Sequence, residues 1–255
     1  MSPTFDRLVE SSVRGNTIAR TIIAVLGGIA LAGLFILAIG PRILLPALPP
    51  PPTIDAPRGD APAGVVVFEE RVLADGGSAP VGSGFLLGLP NGDVIGVTTA
   101  HSVGPGNFPP IAFTTVNGGA TVATFRELYA PLGLPITGTV LTNDYILMIP
   151  ESPPDAAVVL QPDPRGAPQP GERVLLYSGQ GKPGSEAGTV ESVGPGGVWA
   201  RMDHVFNPGG LSGSPVISQH TGRVVGMIVA ASPRIGAIVI GISPIGAIVS
   251  KAASH

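Results

Sequence analysis

The sequence contains no cysteine, few aromatic residues and few charges. Its 255 residues include 5% aromatic and 12% charged side chains, with a formal net charge of −3. The lack of cysteine excludes disulfides, thiolate nucleophiles and cysteine-based zinc sites. The four histidines do not form an H-E-x-x-H pattern, so nothing in the sequence indicates a metalloenzyme. Because no block of basic residues is present, nucleic acid is not an expected partner.

One segment near the N-terminus is strongly apolar. Residues 21–39 read TIIAVLGGIALAGLFILAI and carry no charge. A helix rises about 1.5 Å per residue, so this length nearly crosses a hydrocarbon layer of roughly 30 Å. A cleaved signal peptide is the alternative, but its apolar region is usually about 7–15 residues long, and no clear A-x-A site follows here. The sequence predicts a transmembrane signal-anchor helix at residues 21–40 behind a cytoplasmic segment at residues 1–20.

A proline-rich segment follows the apolar one. Residues 41–63 include the run L-P-P-P-P and further isolated prolines, which favour an extended polyproline spacer. Three arginines precede the apolar segment and two follow it within a similar distance. By the positive-inside rule, the N-terminus lies in the cytoplasm. We therefore expect a single-pass membrane protein whose domain at residues 64–255 lies in the periplasm or at the cell exterior, with its oligomeric state left open.

From residue 64 onward, short β-branched runs alternate with glycine, proline and asparagine turns. Regular short strands with few helical stretches indicate an all-β barrel or sandwich. The predicted strands cover residues 65–68, 84–89, 94–99, 174–177, 198–202, 216–218, 224–230 and 238–242.

A glycine-rich turn surrounds one serine, Ser212. Residues 208–216 read P-G-G-L-S-G-S-P-V and lead into an apolar strand. A nucleophilic serine needs a sharply turned backbone that exposes its hydroxyl, with peptide N–H groups directed at the carbonyl oxygen that becomes negative. Glycines permit such a turn. In a chain with 37 glycines, an ordinary Gly-Ser-Pro turn at the start of a strand is the structural alternative.

A second motif ends a predicted strand. Residues 81–85 read V-G-S-G-F, and residues 97–103 read V-T-T-A-H-S-V. The second run places the imidazole of His101 at the mouth of a strand, where it can face a loop from another part of the fold. His101 is therefore the candidate general base.

Together these motifs resemble those of the trypsin-like serine proteases, and in particular their Deg-type bacterial branch. Residues 210–215 resemble the nucleophile loop G-D-S-G-G-P, although Leu211 and Ser214 depart from it, and the histidine motif resembles G-S-G-F followed by T-x-A-H-V. The similarity covers roughly residues 64–250. It implies two six-stranded β-barrels, a short C-terminal helix, a polypeptide substrate and no metal or organic cofactor. Because the sequence stops at His255, we do not expect the PDZ domain that many Deg-type proteases carry.

The resemblance also implies a triad in the chain order histidine, acid, serine. Two aspartates resemble the family's D-I-A-L-L strand: Asp144 in N-D-Y-I-L-M-I and Asp155 in P-D-A-A-V-V-L. We favour Asp144, because residues 137–140 resemble the strand that usually precedes this aspartate. With Asp155, the linker to the strand that begins P-G-E-R-V would be too short. The alternative acid stays open at this point.

The substrate contacts follow from the same resemblance. Backbone N–H groups of Gly210 and Ser212 form the oxyanion hole. Residues 222–231 resemble the strand that pairs with substrate and walls the S1 pocket, and Phe206 stands six positions before Ser212. Because nothing there would bind a basic side chain, we predict cleavage after small or medium apolar residues. The predicted pocket residues are Phe206, Ile228, Val229 and Ala230.

Two other functions are compatible with the sequence. Leu211, Ser214 and the choice between two acids allow a catalytically inactive trypsin-like domain that acts as an envelope binding or scaffold module. If both motifs are coincidental, the chain is instead an all-β adhesion or structural domain on a proline-rich stalk. That last hypothesis predicts that His101 and Ser212 lie far apart.

Overall fold

A computed structural model of the chain describes residues 68–254, apart from residues 75–76, 105–107, 116–118, 137, 139 and 178–184. The predicted cytoplasmic segment, membrane helix and proline-rich spacer lie outside the described residues, as does most of the predicted strand at 65–68. Within the described part, no helix is both long and apolar enough to cross a membrane.

The described chain consists mainly of β-strands. The strands are β1 (Phe68–Ala74), β2 (Gly77–Gly88), β3 (Val94–Thr98), β4 (Ile111–Thr114), β5 (Thr121–Leu128), β6 (Ile146–Pro150), β7 (Val159–Leu160), β8 (Arg173–Tyr177), β9 (Ser185–Gly194), β10 (Gly197–Met202), β11 (Pro215–Ser218), β12 (Val224–Arg234) and β13 (Ala237–Pro244). Helix α1 (Ala100–Val103) follows β3, a 3₁₀ helix spans Ala156–Val158, and helix α2 (Ile245–Ala253) follows β13.

Six strands form the first barrel in the order β1-β4-β5-β6-β3-β2, and β2 closes it by pairing with β1. Aromatic rings fill the interior: Phe113 stacks on Phe68 with ring centroids 5.8 Å apart and meets Phe125 edge-on at 4.7 Å. A Cβ on Gly84 would lie 2.2 Å from the Phe113 ring, and one on Gly96 would lie 2.6 Å from the Phe125 ring. These two glycines therefore make the room that the rings occupy.

The second barrel is closed in the order β10-β13-β12-β11-β8-β9. Its interior is aliphatic, with side chains such as Val174, Leu176, Val198 and Ile240 fully or almost fully buried. A further cluster joins residues of both barrels to α2; its members include Phe85, Leu87, Leu147, Met227, Val229, Ile245 and Ile248. The prediction of two six-stranded barrels and a short C-terminal helix is confirmed.

Five strands, β4, β5, β6, β7 and β9, are absent from the predicted ranges; β6 and β7 are the runs that follow the two candidate aspartates. β5 and β9 bury only two residues each, so their sequences lack the apolar runs that indicate a strand. The strand that precedes Asp144 is β5, and no strand lies between β5 and β6 among the described residues. Of residues 137–140, the structure describes Gly138 in a turn and Val140 in an isolated β-bridge, and the expected strand otherwise lies outside the described residues.

An ion-pair cluster joins the connection between the barrels to the β11–β12 turn. Arg165 Nη2 lies 2.6 Å from Asp163 Oδ2 and 2.9 Å from Glu172 Oε1, and both carboxylate side chains are buried. The hydroxyls of Ser218 and Thr221 donate to Glu172 and Asp163, respectively. Burial raises the pKa of each carboxyl, but the bonds from Arg165 and the hydroxyls outweigh it, so both pKa values lie below their ordinary range.

Replacing Arg165 with Met should lower the free energy of unfolding by about 3 kcal/mol, because it leaves two buried carboxylates without their cation. The loss should shrink as the pH falls through the lowered pKa values and the carboxyls take up protons. Urea denaturation at several pH values measures both effects. The control is Arg126→Met. Arg126 forms an exposed ion pair with Glu151, so its replacement should lower the free energy of unfolding by less than about 1 kcal/mol. Equal losses for the two variants would contradict a stabilising role for the cluster.

Candidate active site

Three side chains from separate parts of the chain meet at one place. His101 lies in α1 directly after β3, Asp144 lies just before β6, and Ser212 lies in the loop before β11. His101 Nδ1 is 2.6 Å from Asp144 Oδ2, and His101 Nε2 is 2.9 Å from Ser212 Oγ. The structure thus joins a carboxylate, an imidazole and a hydroxyl in one hydrogen-bonded chain.

Asp144 is fixed by its surroundings. Its side chain is fully buried and accepts hydrogen bonds from the backbone N–H of His101 at 3.0 Å and of Ile136 at 3.1 Å, besides the bond to the imidazole. A carboxylate beside Nδ1 favours the tautomer with hydrogen on that nitrogen. Nε2 is then free to accept a hydrogen from the Ser212 hydroxyl.

Asp155 has a different place and partner. It is exposed, and its Oδ1 accepts the backbone N–H of Ala157 at 2.9 Å, which caps the 3₁₀ helix at Ala156–Val158. Of the two aspartates that the sequence offered, the structure brings Asp144 and not Asp155 to His101.

The loop around Ser212 requires glycine at two positions. Gly210 and Gly213 have φ angles of +77° and +89°, in the left-handed region. A Cβ on Gly213 would also lie 1.9 Å from the carbonyl oxygen of Ser83. The N–H of Gly213 donates to the carbonyl of Ile228 at 3.0 Å, which attaches the loop to β12.

Ser83 of β2 connects the first barrel to this loop. Its N–H donates to the carbonyl oxygen of Ser212 at 2.9 Å, and its hydroxyl donates to the carbonyl oxygen of Gly210 at 2.8 Å. No hydrogen bond joins the N–H of Gly210 or of Ser212 to another described residue. These two N–H groups, which are the predicted oxyanion hole, therefore have no partner within the described part of the chain. Ser83 was not among the predicted site residues, although it is the serine of the G-S-G-F motif.

The two positions that depart from the usual loop are both buried. Leu211 is 3% exposed and packs in the aliphatic interior of the second barrel. The Ser214 side chain is fully buried, and its Oγ has no hydrogen-bond partner. At the position where the family usually has an acid, apolar packing of Leu211 anchors the loop.

The four predicted pocket residues fall into two groups. Phe206 is half-buried against the interior cluster of the second barrel, which contains Ile228. Val229 belongs to the cluster shared by the two barrels, and Ala230 packs against that cluster. The pairing of β12 with β13 shifts register between Ile228 and Ala230. Because such a bulge interrupts the alternation of side chains, the adjacent residues Val229 and Ala230 contact the same cluster. The structure therefore places Phe206 with Ile228 and separates them from the other two.

Metal ligands are not grouped near these residues. Among the residues that the structure describes, no set of three or more histidine, aspartate or glutamate side chains could hold a metal ion.

The family of this chain follows from its sequence profile. The family described as trypsin-like peptidase domain matches residues 82–227, which is more than half of the chain. The chain belongs to the trypsin-like peptidase family. No curated protein matches it.

Solved structures with a similar fold include three proteases. One is the HtrA-type protease AlgW with decapeptide, which is 14% identical and has a TM-score of 0.47. The match covers 70% of this chain and 53% of the AlgW chain. The catalytically active tobacco etch virus protease complexed with product is 18% identical and has a TM-score of 0.47. The match covers 76% of this chain and 80% of the viral protease chain. The serine endoprotease from Yersinia pestis is 18% identical and has a TM-score of 0.48. The match covers 75% of this chain and 61% of the Yersinia chain. This chain spans about half the length of the AlgW chain.

Proposed function

We propose that this protein is an endopeptidase that cleaves peptide bonds through a triad of Ser212, His101 and Asp144 and an acyl-enzyme. The observation that carries the proposal is the hydrogen-bonded chain from Asp144 through His101 to Ser212, with distances of 2.6 Å and 2.9 Å. These distances lie within the range in which a general base can accept a proton from a nucleophile.

In the first half of the reaction, Ser212 Oγ attacks the carbonyl carbon of the substrate while its proton passes to His101 Nε2. Asp144 stays ionised and stabilises the imidazolium. The N–H groups of Gly210 and Ser212 hold the oxygen that becomes negative. The imidazolium then gives its proton to the leaving amine, and the acyl group stays on Ser212.

In the second half, water replaces the amine. His101 removes a proton from the water as its oxygen attacks the acyl carbon, and the proton then returns to Ser212 Oγ as the carboxylic acid product leaves. Each step uses these residues and water alone.

The structure contradicts one alternative. An adhesion domain with coincidental motifs predicts that His101 and Ser212 lie far apart, whereas their side chains are hydrogen-bonded. An inactive binding or scaffold module has the same fold, so the activity of Ser212 distinguishes it from an enzyme.

A fluorophosphonate reagent tests the triad, because it reacts with a serine whose hydroxyl is activated. In the full chain, the wild type should be labelled and Ser212→Ala and His101→Ala should not. Asp144→Asn should slow labelling by about 10⁴-fold, because asparagine holds the imidazole in the wrong tautomer. The matched control, Asp155→Asn, should react as the wild type does. Labelling that survives Asp144→Asn but not Asp155→Asn would overturn the choice of acid, and no labelling of a folded wild type would favour the inactive module.

We further propose that the enzyme cleaves after small or medium apolar residues. Phe206 and Ile228 carry no charge that could bind lysine or arginine. The nearest acid in the sequence, Asp203, already forms an ion pair with Arg173 at 2.5 Å. A basic side chain would lose its hydration in such a pocket without gaining a counter-ion.

Peptide p-nitroanilides that differ only at the residue before the scissile bond measure this preference. We expect kcat/KM for alanine, valine or leucine to exceed that for arginine or lysine by about tenfold or more. A preference for arginine or lysine would refute the proposed pocket.

We also propose that residues 21–40 anchor the protein as a single-pass membrane protein with its peptidase domain outside the cytoplasm. The uncharged run at residues 21–39 and the arginines before it support this arrangement. The proline-rich segment at residues 41–63 would then act as a spacer between the membrane and the enzyme.

Single cysteines can report the topology, because the natural sequence has none. In sealed right-side-out vesicles, a membrane-impermeant maleimide should label Ala79→Cys, which lies at an exposed position of β2. Ser11→Cys, in the predicted cytoplasmic segment, should react only after detergent opens the membrane. The reverse pattern would place the peptidase domain in the cytoplasm.

A further inference from the structure

A glutamate with no exposed surface lies behind the nucleophile loop. Glu70 points into the first barrel on the same face of β1 as Phe68, and both side chains are 0% exposed. A Cβ on Gly82, which pairs with Glu70 across β1 and β2, would lie 2.9 Å from Glu70 Oε2 and 3.1 Å from the carbonyl oxygen of Ser212. None of the proposed catalytic steps uses this carboxyl group.

Two residues connect Glu70 to the loop. Thr98 Oγ1 lies 2.7 Å from Glu70 Oε2 and 2.9 Å from the carbonyl oxygen of Ser83. The N–H and hydroxyl of Ser83 in turn bind the carbonyl oxygens of Ser212 and Gly210. A continuous set of hydrogen bonds therefore runs from the buried carboxyl to the peptide groups on both sides of the nucleophile.

The number of hydrogens in this set favours a neutral glutamate. A threonine hydroxyl has one hydrogen, so it cannot donate both to a carboxylate and to the Ser83 carbonyl. If Glu70 is protonated, its O–H donates to Thr98 Oγ1, and Thr98 donates to Ser83. Oε1 of Glu70 has no hydrogen-bond partner. A buried oxygen without a partner costs less free energy in a neutral carboxyl group than in a charged carboxylate.

Among the described residues, no cation of the first barrel faces Glu70, because the charged residues of β5, Arg126 and Glu127, are exposed. Strands β2, β3, β4 and β6 contain no charged residue. Glu69 and Arg71 lie on the opposite face of β1 and form an ion pair with each other at 3.2 Å. The titratable groups on the side of the active site are His101 and Asp144, which bind each other. Burial raises the pKa of Glu70 to about 8, and the threonine hydrogen bond lowers it only in part.

We propose that Glu70, in its protonated form, is a positioning residue of the peptidase that fixes the Ser212 loop through Thr98 and Ser83. This inference rests on the proposed function of Ser212. When Glu70 ionises, the Thr98 hydrogen turns to the carboxylate and the Ser83 carbonyl loses its donor. A negative charge then also lies behind the loop in which an oxyanion has to form, so the reaction slows at alkaline pH.

Four variants separate positioning from simple packing. Glu70→Gln cannot ionise, and its amide can donate to Thr98, so it should keep the activity of the wild type near neutral pH. Thr98→Val retains the shape of threonine but breaks the connection, and it should react about tenfold more slowly, as expected for one lost hydrogen bond. Thr98→Ser restores the hydroxyl and should recover the wild-type rate. Ser212→Ala is the blank for labelling elsewhere.

The measurement is the rate of fluorophosphonate labelling of the full chain from about pH 6 to about pH 10, resolved into a maximal rate and an affinity for the probe. In the wild type the maximal rate should fall above the pKa of about 8 while the affinity stays the same, and in Glu70→Gln the fall should be absent. An identical alkaline fall in wild type and Glu70→Gln, or a wild-type rate for Thr98→Val, would overturn the inference. If the wild type is not labelled at all, the proposed function itself fails.

Thermal unfolding gives a second measurement that does not need activity. The folded protein holds a proton on Glu70 between the ordinary pKa of 4.5 and about 8, whereas the unfolded chain releases it. The glutamate's contribution to stability is therefore complete below the lower value and is lost as the pH rises toward the higher one. The wild type should lose melting temperature over this range relative to Glu70→Gln. Parallel curves would show that Glu70 is not protonated in the folded state and would overturn the inference.

Discussion

The buried carboxylate of Asp144 holds His101 by two bonds, one to the ring and one to the backbone N–H, and the arrangement of the site depends on this contact. It fixes the imidazole at the edge of the first barrel, with Nε2 directed at a serine that the second barrel supplies. The barrels must therefore meet with an accuracy of a few tenths of an ångström. The shared apolar cluster, α2 and the ion pairs around Arg165 provide the rigid contacts for this.

The nucleophile loop is held from both barrels. β12 of the second barrel accepts the N–H of Gly213, and the interior of that barrel surrounds Leu211. From the first barrel, Ser83 binds two carbonyl groups of the loop. The carbonyl oxygens of Gly210 and Ser212 bind Ser83, whereas the N–H groups of the same two residues have no hydrogen-bond partner among the described residues. The loop thus depends on both barrels for its shape.

Much of this arrangement could be predicted from local motifs, and the rest could not. His101 and Ser212 stand in short runs whose glycines and strand ends have a direct chemical meaning. The acid was ambiguous, because two aspartates precede similar apolar runs, and in the structure burial beside the imidazole distinguishes them. Thr98 and Glu70 give no local signal, and the G-S-G-F motif contains Ser83 but does not show which residues it binds. The bond from Ser83 to Gly210 joins residues 127 positions apart, and a glutamate in F-E-E-R-V has the pattern of a surface strand.

The burial of Leu211 determines how the loop acquires its shape. A charged side chain at this position would need an opposite charge close by, and that attraction would weaken as salt screened it. Leu211 is instead held by apolar contacts inside the second barrel. The loop is therefore ordered by the same burial of apolar surface that forms this barrel. The shape of the nucleophile loop and the completion of the second barrel are then coupled in one folding event.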